Sequence, residues 1–352
     1  MMNLIVTFLM IPFAPFWFYG DMAGGMRGAE VSMPSVSCQA EADVCGLPAA
    51  GKESVFEDFD TKKTEKYSIF PVDPVMASGL VPTRKQGVPD LKIWAGSSVA
   101  IDADSGTIIH YDNGRKRTQI ASLTKMMTAI LAMEKIENLD EEVLITKEAL
   151  QVDGTVVGCP TSVFCNGNQM FTGEKVRAKD LMKVMLMNSA NDSATALGIH
   201  IAGSPEKFVD MMNKKAKDMG LKDTHFCTPS GLEIDDHEDQ CYSTAYDIAR
   251  IAAYSLKYET IWDIMMIPDG RFYSADGKYM HELKNTDMLL ATMPNCIGGK
   301  TGFTPLAGKS LMLGAEDPAG KHRIIAVLLN DEQRWEDMKV LVDWVFNNHT
   351  WQ

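Results

Sequence analysis

The stretch IASLTKMMTAILA at residues 120–132 places a serine and a lysine three positions apart at the start of an apolar run. Apolar residues on more than one face predict a buried helix. The spacing puts the Ser122 hydroxyl and the Lys125 amine on one helical face, with the positive end of the helix dipole behind the serine. A neutral lysine can accept the serine's proton if burial or a nearby cation lowers the pKa of its amine. Alone the motif is weak, because a chain of this composition should contain about one by chance.

Two further motifs strengthen this interpretation. Ser189-Ala190-Asn191 follows a helical segment, and Lys300-Thr301-Gly302 follows two glycines ahead of the last strands. The three motifs in this order are the signature of penicillin-recognising serine enzymes. Here the sequence resembles the D-alanyl-D-alanine carboxypeptidases, the low-molecular-weight penicillin-binding proteins. The resemblance runs from about residue 90 to about residue 347 and is carried by SSVAIDADSG, IASLTKMMTAILA, LMNSANDSATALGIHIAG, FVDMMNKKAKDMGLKDTHF, SGL, YSTAYDIARIA and GGKTGFTPLAGKSLMLGA.

The resemblance implies an α/β (α+β) fold of the serine β-lactamase and penicillin-binding-protein type. Its mostly antiparallel sheet would be flanked by helices, with the site between the sheet and a helical lobe. The implied reaction removes the terminal D-alanine from peptidoglycan stem pentapeptides through an acyl-enzyme, with no metal or cofactor. Stem peptides ending in D-Ala-D-Ala would be the partners, and penicillin and other β-lactams would be covalent inhibitors.

Four catalytic or binding roles follow from the resemblance. Ser122 would be the nucleophile and Lys125 its base, while Ser189 would relay a proton to the departing amine. Asn191 would bind the peptide backbone of the substrate, although a helix cap is an open alternative.

The last motif would bind the end of the substrate. Lys300 would attract the terminal carboxylate and help to keep Lys125 neutral, and Thr301 would add a hydroxyl contact. Gly302 would let the substrate lie against a strand edge, or be an ordinary bulge glycine. The backbone N–H groups of Ser122 and Phe303 would hold the oxyanion.

The surrounding pattern predicts the order of elements. Residues 97–114 read as a hairpin, 309–316 and 323–330 as strands, and 331–347 as an amphipathic helix. We expect Asp180 to cap the helix LMKVMLMN, Ser204 to start the next helix and Gly220 to close it. The first and last strands would share one antiparallel sheet. The 24 methionines are expected to be mostly core.

The N-terminal region divides from the rest by composition. Residues 4–19 carry no charge but contain Pro12 and Pro15, which favours an export signal over a membrane span. Because no Lys or Arg precedes the run, an uncleaved anchor and a buried element stay open. We therefore expect a signal or anchor at 1–25, a linker or loosely ordered arm at 26–89, and the catalytic domain at 90–352. The protein would be exported, monomeric, and attached to a membrane only through that segment.

Charge and cysteine content exclude other classes. With 34 basic and 47 acidic residues the net charge is −13, which disfavours nucleic acid as a partner. The cysteines show neither a CxxC pair nor zinc-finger spacing. If the chain is exported, Cys159 with Cys165 and Cys227 with Cys241 could form disulfides, although reduced buried thiols are equally compatible. The seven cysteines are Cys38, Cys45, Cys159, Cys165, Cys227, Cys241 and Cys296.

Rival functions lack complete motifs. The phosphate-loop pattern is incomplete at 46–53 and at 294–301, and no HExxH is present. A class A β-lactamase would need a glutamate for deacylation, for which Glu233 is a weak candidate. A D-alanyl endopeptidase and a non-catalytic peptidoglycan-binding module stay as alternatives.

Two departures from the family pattern bear on specificity. Cys241 stands where many relatives have His, and Asn285-Thr286-Asp287 replaces Asn-x-Asn, which leaves subsite preference and deacylation rate open. The chain stops at Gln352, so we expect the β-rich second domain and amphipathic anchor of many relatives to be absent.

Overall fold

The computed structural model describes residues 80–158 and 168–352. Its strands are β1 (Pro82–Arg84), β2 (Ser97–Asp102), β3 (Ile108–Asp112), β4 (Glu142–Leu144), β5 (Lys175–Arg177), β6 (Asp269–Tyr273), β7 (Met280–Lys284), β8 (Cys296–Thr304), β9 (Gly308–Glu316), β10 (Arg323–Leu329) and β11 (His349–Trp351). Its α-helices are α1 (Lys125–Lys135), α2 (Lys147–Leu150), α3 (Ala178–Met187), α4 (Asn191–Ala202), α5 (Pro205–Asp218), α6 (Ala245–Ser255), α7 (Glu259–Met265) and α8 (Arg334–Asn348).

The central sheet has the order β3-β2-β10-β9-β8 and is antiparallel throughout. The first long strand therefore pairs with the last one, as the sequence predicts, with Val99 opposite Val327. Both faces are covered, because Ile325 and Val327 join the core of the helical lobe while Ile324 and Leu328 join the core beneath α8. Because successive side chains of β10 point to opposite faces of the sheet, this strand contributes to two separate hydrophobic cores.

The helical lobe is built around α1, which packs against α3, α4 and α6. Methionines fill much of its core, and five that are fully buried are Met126, Met127, Met182, Met185 and Met212. The expectation that many methionines are core residues is confirmed for these positions. Flexible thioether side chains suit this irregular packing between helices.

One of the predicted helix starts is wrong. Helix α3 begins at Ala178 and its N-cap is Arg177, so Asp180 lies in the first turn, where its carboxylate accepts from Lys183 Nζ at 2.9 Å. An acid in the first turn is favoured by the helix dipole without acting as a cap. Ser204, in contrast, caps α5 by accepting from Lys207 N, and Gly220 follows that helix with a φ of 67°.

Regular structure begins N-terminal to residue 90, the expected start of the domain. Strand β1 pairs with β11 near the C-terminus, with Thr83 opposite Thr350. The expected export signal, most of the expected linker, and the pair Cys159 and Cys165 lie outside the described residues. Within those residues, no helix has the length and apolar character needed to cross a bilayer.

A disulfide joins Cys227 to Cys241, one of the two pairs that the sequence allows. It closes a loop, residues 227–241, which we call the SGL loop after Ser230-Gly231-Leu232. Cys296 is a buried free thiol in strand β8. The disulfide therefore constrains the segment that runs between α5 and α6.

We expect the double substitution of Cys227 and Cys241 by serine to lower the free energy of unfolding by about 3 kcal/mol, because a loop of about 15 residues is no longer closed in the unfolded chain. Denaturant titration with and without reductant measures this change. Reductant should lower the wild-type stability toward that of the variant and leave the variant unaffected. Equal midpoints for wild type and variant in the absence of reductant would contradict the expectation.

Candidate active site

Ser122 lies in a 3₁₀ turn, Ala121–Thr124, that leads directly into α1. Its neighbours Ala121 and Leu123 are buried, whereas Ser122 is partly exposed. Ala121 has a left-handed φ of 46°, and Gly231 of the SGL loop, at φ 89°, lies so close that a Cβ there would be 1.9 Å from the Ala121 carbonyl oxygen. Only glycine fits both the conformation and the contact. The backbone of Gly231 therefore packs against the turn that carries Ser122 and restricts its movement.

Lys125 is fully buried and its amine contacts three oxygens. The Lys125 Nζ lies 2.7 Å from each of Ser122 Oγ, Asn191 Oδ1 and the Ser230 carbonyl oxygen. Asn191 Nδ2 donates to the Asp153 carbonyl oxygen at 2.7 Å, which directs Oδ1 toward the lysine. Asn191 Oδ1 and the Ser230 carbonyl can only accept, so a neutral amine gives them its two hydrogens and turns its lone pair to the Ser122 hydroxyl.

The electrostatics favour this neutral form. Burial lowers the pKa of Lys125 well below its usual range, the nearby charge of Lys300 lowers it further, and Asp192 opposes the shift. Burial also raises the pKa of Asp192 to about 6, against hydrogen bonds from the backbone N–H groups of Val157 and Ser193. Lys125 can therefore act as a base at neutral pH.

Ser189 lies between α3 and α4 with a left-handed φ of 65°. Its hydroxyl oxygen accepts from Lys300 Nζ at 2.9 Å. A non-glycine residue in this conformation is strained and persists only where its surroundings hold it. Two contacts from the end of β7 and the segment after it do so. Thr286 N donates to the Met187 carbonyl at 3.0 Å, and Lys284 N donates to Asn188 Oδ1 at 2.9 Å.

Lys300 lies in β8, the edge strand of the central sheet, and is 1% exposed. Its Nζ also donates to the Thr301 carbonyl at 3.0 Å. Burial lowers the pKa of Lys300 to about 7, the charge of Arg334 adds to the shift, and Asp287 opposes it. The amine is therefore poised to hold a full positive charge when an anion binds beside it.

The remaining residues of the strand bring it close to the nucleophile. A Cβ at Gly302 would lie 2.9 Å from the Ile120 carbonyl oxygen, so glycine lets β8 approach the turn that carries Ser122. The bulge in this strand lies between Cys296 and Gly298 rather than at Gly302. Phe303 follows with a 60% exposed side chain. Hydrogen bonds of Lys125 and Lys300 thus bring the three motifs expected from the sequence together at one place.

The side chain of Asn191 makes contacts that the sequence did not predict. It is the first residue of α4, whose N-cap is Ala190, and its side chain binds Lys125 and Asp153 instead of capping the helix. Its role at a substrate backbone stays a prediction.

Several contributors were missed by the sequence reasoning. Ser230 acts through its carbonyl oxygen, which leaves no side-chain signature. Arg334 Nη1 donates to the Gly302 carbonyl at 3.0 Å and to the Ser310 carbonyl at 3.1 Å. The sequence does carry a signal for Arg334, because it is a cation in the first turn of a helix, where acids are preferred. Glu233 accepts from Thr304 Oγ1 at 2.5 Å and so ties the SGL loop to the end of β8.

Residues 83–333 match the family model described as D-alanyl-D-alanine carboxypeptidase, peptidase family S11. The chain belongs to this family. It is 33% identical over 261 residues to the D-alanyl-D-alanine carboxypeptidase DacF of Bacillus subtilis, covering 72% of this chain and 63% of that protein. It is 28% identical over 235 residues to a D-alanyl-D-alanine endopeptidase of Pseudomonas aeruginosa, covering 66% of this chain and 71% of that one.

The family fold is also found among solved structures. Penicillin-binding protein D2 of Listeria monocytogenes, solved in its cefotaxime-bound form, superimposes with a TM-score of 0.62 at 27% identity, covering 74% of this chain and 100% of that one. The expected family and the expected fold are both confirmed. The family comprises serine peptidases that bind D-Ala-D-Ala peptides and β-lactams.

The two lysines predict a bell-shaped pH profile for the second-order acylation of Ser122 by penicillin. Protonated Lys125 cannot accept a proton, so the rate should rise as pH increases through the depressed pKa of Lys125. Lys300 loses its charge as pH rises through about 7, so the rate should then fall. Labelling rates between pH 4 and pH 10 give the profile. Lys309→Arg, an exposed lysine paired with Glu332, is the control and should leave the profile unchanged. A rate that stays flat up to pH 10 would contradict the role of Lys300.

Proposed function

We propose that this protein is a serine-type D-Ala-D-Ala carboxypeptidase that removes the terminal D-alanine from peptidoglycan stem pentapeptides through an acyl-enzyme on Ser122. The observation that carries the proposal is the buried Lys125 amine, whose two pure acceptors leave its lone pair 2.7 Å from the Ser122 hydroxyl. A nucleophile with an adjacent desolvated base is what acyl transfer requires.

The residues present account for each bond and proton in the proposed reaction. Ser122 Oγ forms a bond to the carbonyl carbon of the penultimate D-alanine while its proton passes to Lys125 Nζ. The bond to the terminal D-alanine nitrogen then breaks, and the proton reaches that nitrogen through the Ser189 hydroxyl. The ester on Ser122 is cleaved by water, which releases the shortened peptide and restores the serine.

The negative oxygen formed during this attack needs donors. The backbone N–H groups of Ser122 and Phe303 are the candidates, since Gly302 lets the β8 backbone approach the Ser122 turn closely. Loss of one such donor typically slows acyl transfer by about a hundredfold or more.

The charge arrangement favours a substrate that ends in a free carboxylate. Lys300 is buried beside Ser189, and Arg334 adds a second positive charge near it. Arg334 repels the charged form of Lys300 in this low-dielectric site, and Asp287 offsets that repulsion only in part. A terminal carboxylate relieves this repulsion, which supports an exopeptidase reaction.

Two alternatives have their own grounds. Likeness to the Pseudomonas protein keeps a D-alanyl endopeptidase as the second candidate. A non-catalytic peptidoglycan-binding module would keep the cleft without turnover. We also propose that the protein works outside the cytoplasm, and the Cys227–Cys241 disulfide supports an oxidising compartment.

Labelled penicillin and mass spectrometry of muropeptide digests test the proposal. We expect a stable penicillin adduct and loss of one D-alanine from a pentapeptide, with both abolished in Ser122→Ala, since removing a nucleophile costs on the order of 10⁴-fold or more in kcat. Ser105→Ala, in the turn between β2 and β3, is the matched control and should behave as wild type.

The digestion products distinguish the carboxypeptidase from the endopeptidase and the binding module. Cleavage of cross-linked dimers faster than pentapeptides would identify an endopeptidase. An absence of adduct and of products would favour the binding module and overturn the proposed reaction.

A further inference from the structure

A hydroxyl pair lies next to Lys300, the residue proposed to attract the substrate carboxylate. Thr286 Oγ1 is 2.7 Å from Thr301 Oγ1 and 3.3 Å from the Met187 carbonyl oxygen. Thr286 follows β7 in the segment Asn285–Asp287, where the sequence departs from the family's usual Asn-x-Asn. We propose that Thr286 is a positioning residue that orients the Thr301 hydroxyl toward the substrate carboxylate. The inference rests on the proposed function and extends it to a residue outside the three motifs.

The hydrogens can be counted because each hydroxyl has one. The Met187 carbonyl only accepts, and the backbone N–H of Thr286 already donates to it at 3.0 Å. Either hydroxyl can donate across the pair, and because Thr286 Oγ1 donates to the Met187 carbonyl, the consistent arrangement has Thr301 donating to Thr286. When a carboxylate binds, Thr301 turns its hydrogen to the ligand, and Thr286 turns its own to Thr301 Oγ1. No hydrogen-bonding group is left without a partner in either arrangement.

The low solvent exposure of Thr301 increases the effect of this change in hydrogen bonding on substrate binding. Thr301 is 7% exposed and neighbouring Lys300 is 1% exposed, so little solvent competes at the Thr301 hydroxyl, while Thr286 is partly buried. A hydroxyl that receives a hydrogen bond becomes a better donor, and such polarisation is stronger at low dielectric. Thr286 therefore strengthens the bond that Thr301 gives to an anion, although Thr286 need not touch the substrate.

The contact also links two parts of the site. Met187 precedes the strained Ser189 turn by two residues, while Thr301 lies in β8 beside Lys300. Thr286→Val removes the hydroxyl but keeps the backbone N–H bond to Met187. The substitution should therefore weaken ground-state binding of the carboxylate and leave the proton transfer through Ser189 in place.

We expect Thr286→Val to raise KM for a pentapeptide ending in D-Ala-D-Ala about threefold to tenfold with little change in kcat, as for the loss of one buried hydrogen bond. Thr286→Ser, which keeps the hydroxyl, should restore the wild-type KM. Thr107→Val is the matched control, since it removes a 2.8 Å hydroxyl contact, Ser105 with Thr107, on the far side of the sheet. It should leave both constants unchanged.

A double-mutant cycle shows whether Thr286 acts through Thr301. In a Thr301→Val background, Thr286→Val should have no further effect on KM, because the hydroxyl that it orients is gone. Additive effects of the two substitutions, or a fall in kcat at unchanged KM, would overturn the proposal and leave Thr286 as a purely structural residue. If Thr286→Val does not fold, Thr286→Ala takes its place in the cycle.

Calorimetry separates this inference from the proposed reaction. The same cycle is measured as equilibrium binding of the pentapeptide to proteins that carry Ser122→Ala, where no turnover contributes. Coupled losses of affinity together with wild-type release of D-alanine support both proposals. Coupled losses without turnover in the wild type would retain the Thr286 inference and reject the carboxypeptidase. Absence of coupling rejects the inference whatever the wild type hydrolyses.

Discussion

The site depends on a buried lysine, Lys125, whose surroundings favour the neutral form of its amine. Lys125 has no solvent exposure, so its charged form loses hydration and is opposed by the charge of Lys300. A neutral amine is compatible with this burial only if its two hydrogens have acceptors, and those acceptors come from Asn191 on α4 and Ser230 in the SGL loop. Helix α1, helix α4 and the SGL loop must therefore meet at one atom.

Strand β8 supplies the opposing requirement under the proposed function, since Lys300 would have to carry charge when a substrate carboxylate is bound. The two amines are near enough for Lys300 to lower the pKa of Lys125, yet they bind different partners, Ser122 on one side and Ser189 on the other. Burial and repulsion by Arg334 lower the pKa of Lys300 to about 7, so its charged and neutral forms are both accessible near neutral pH. In the proposed reaction, a carboxylate bound at Lys300 would favour the charged form of that lysine, while Lys125, with its own partners, would act as the base.

The sequence predicted the parts whose signals are local. The spacing of Ser122 and Lys125 predicted that the two side chains lie on one helical face, where they form a hydrogen bond, and Ser204 predicted the start of α5. Asp180 misled because an acid in a first turn resembles a cap in sequence. The contact from Lys125 to the Ser230 carbonyl spans 105 positions, and the one from Thr286 to Thr301 joins two hydroxyls with no distinctive pattern. Such contacts depend on tertiary packing, as does the left-handed backbone at Ser189.

The SGL loop shows how the fold holds a backbone carbonyl in place as firmly as a side chain. Its ends are joined by the Cys227–Cys241 disulfide, and Glu233 fastens its middle to Thr304 at the end of β8. Between these points, Gly231 lies against the Ala121 carbonyl, where no larger residue fits. A loop fixed at three places has little freedom to withdraw the Ser230 oxygen from Lys125. If that oxygen withdrew, the amine would keep a hydrogen without an acceptor, and its lone pair would no longer be directed at Ser122 alone.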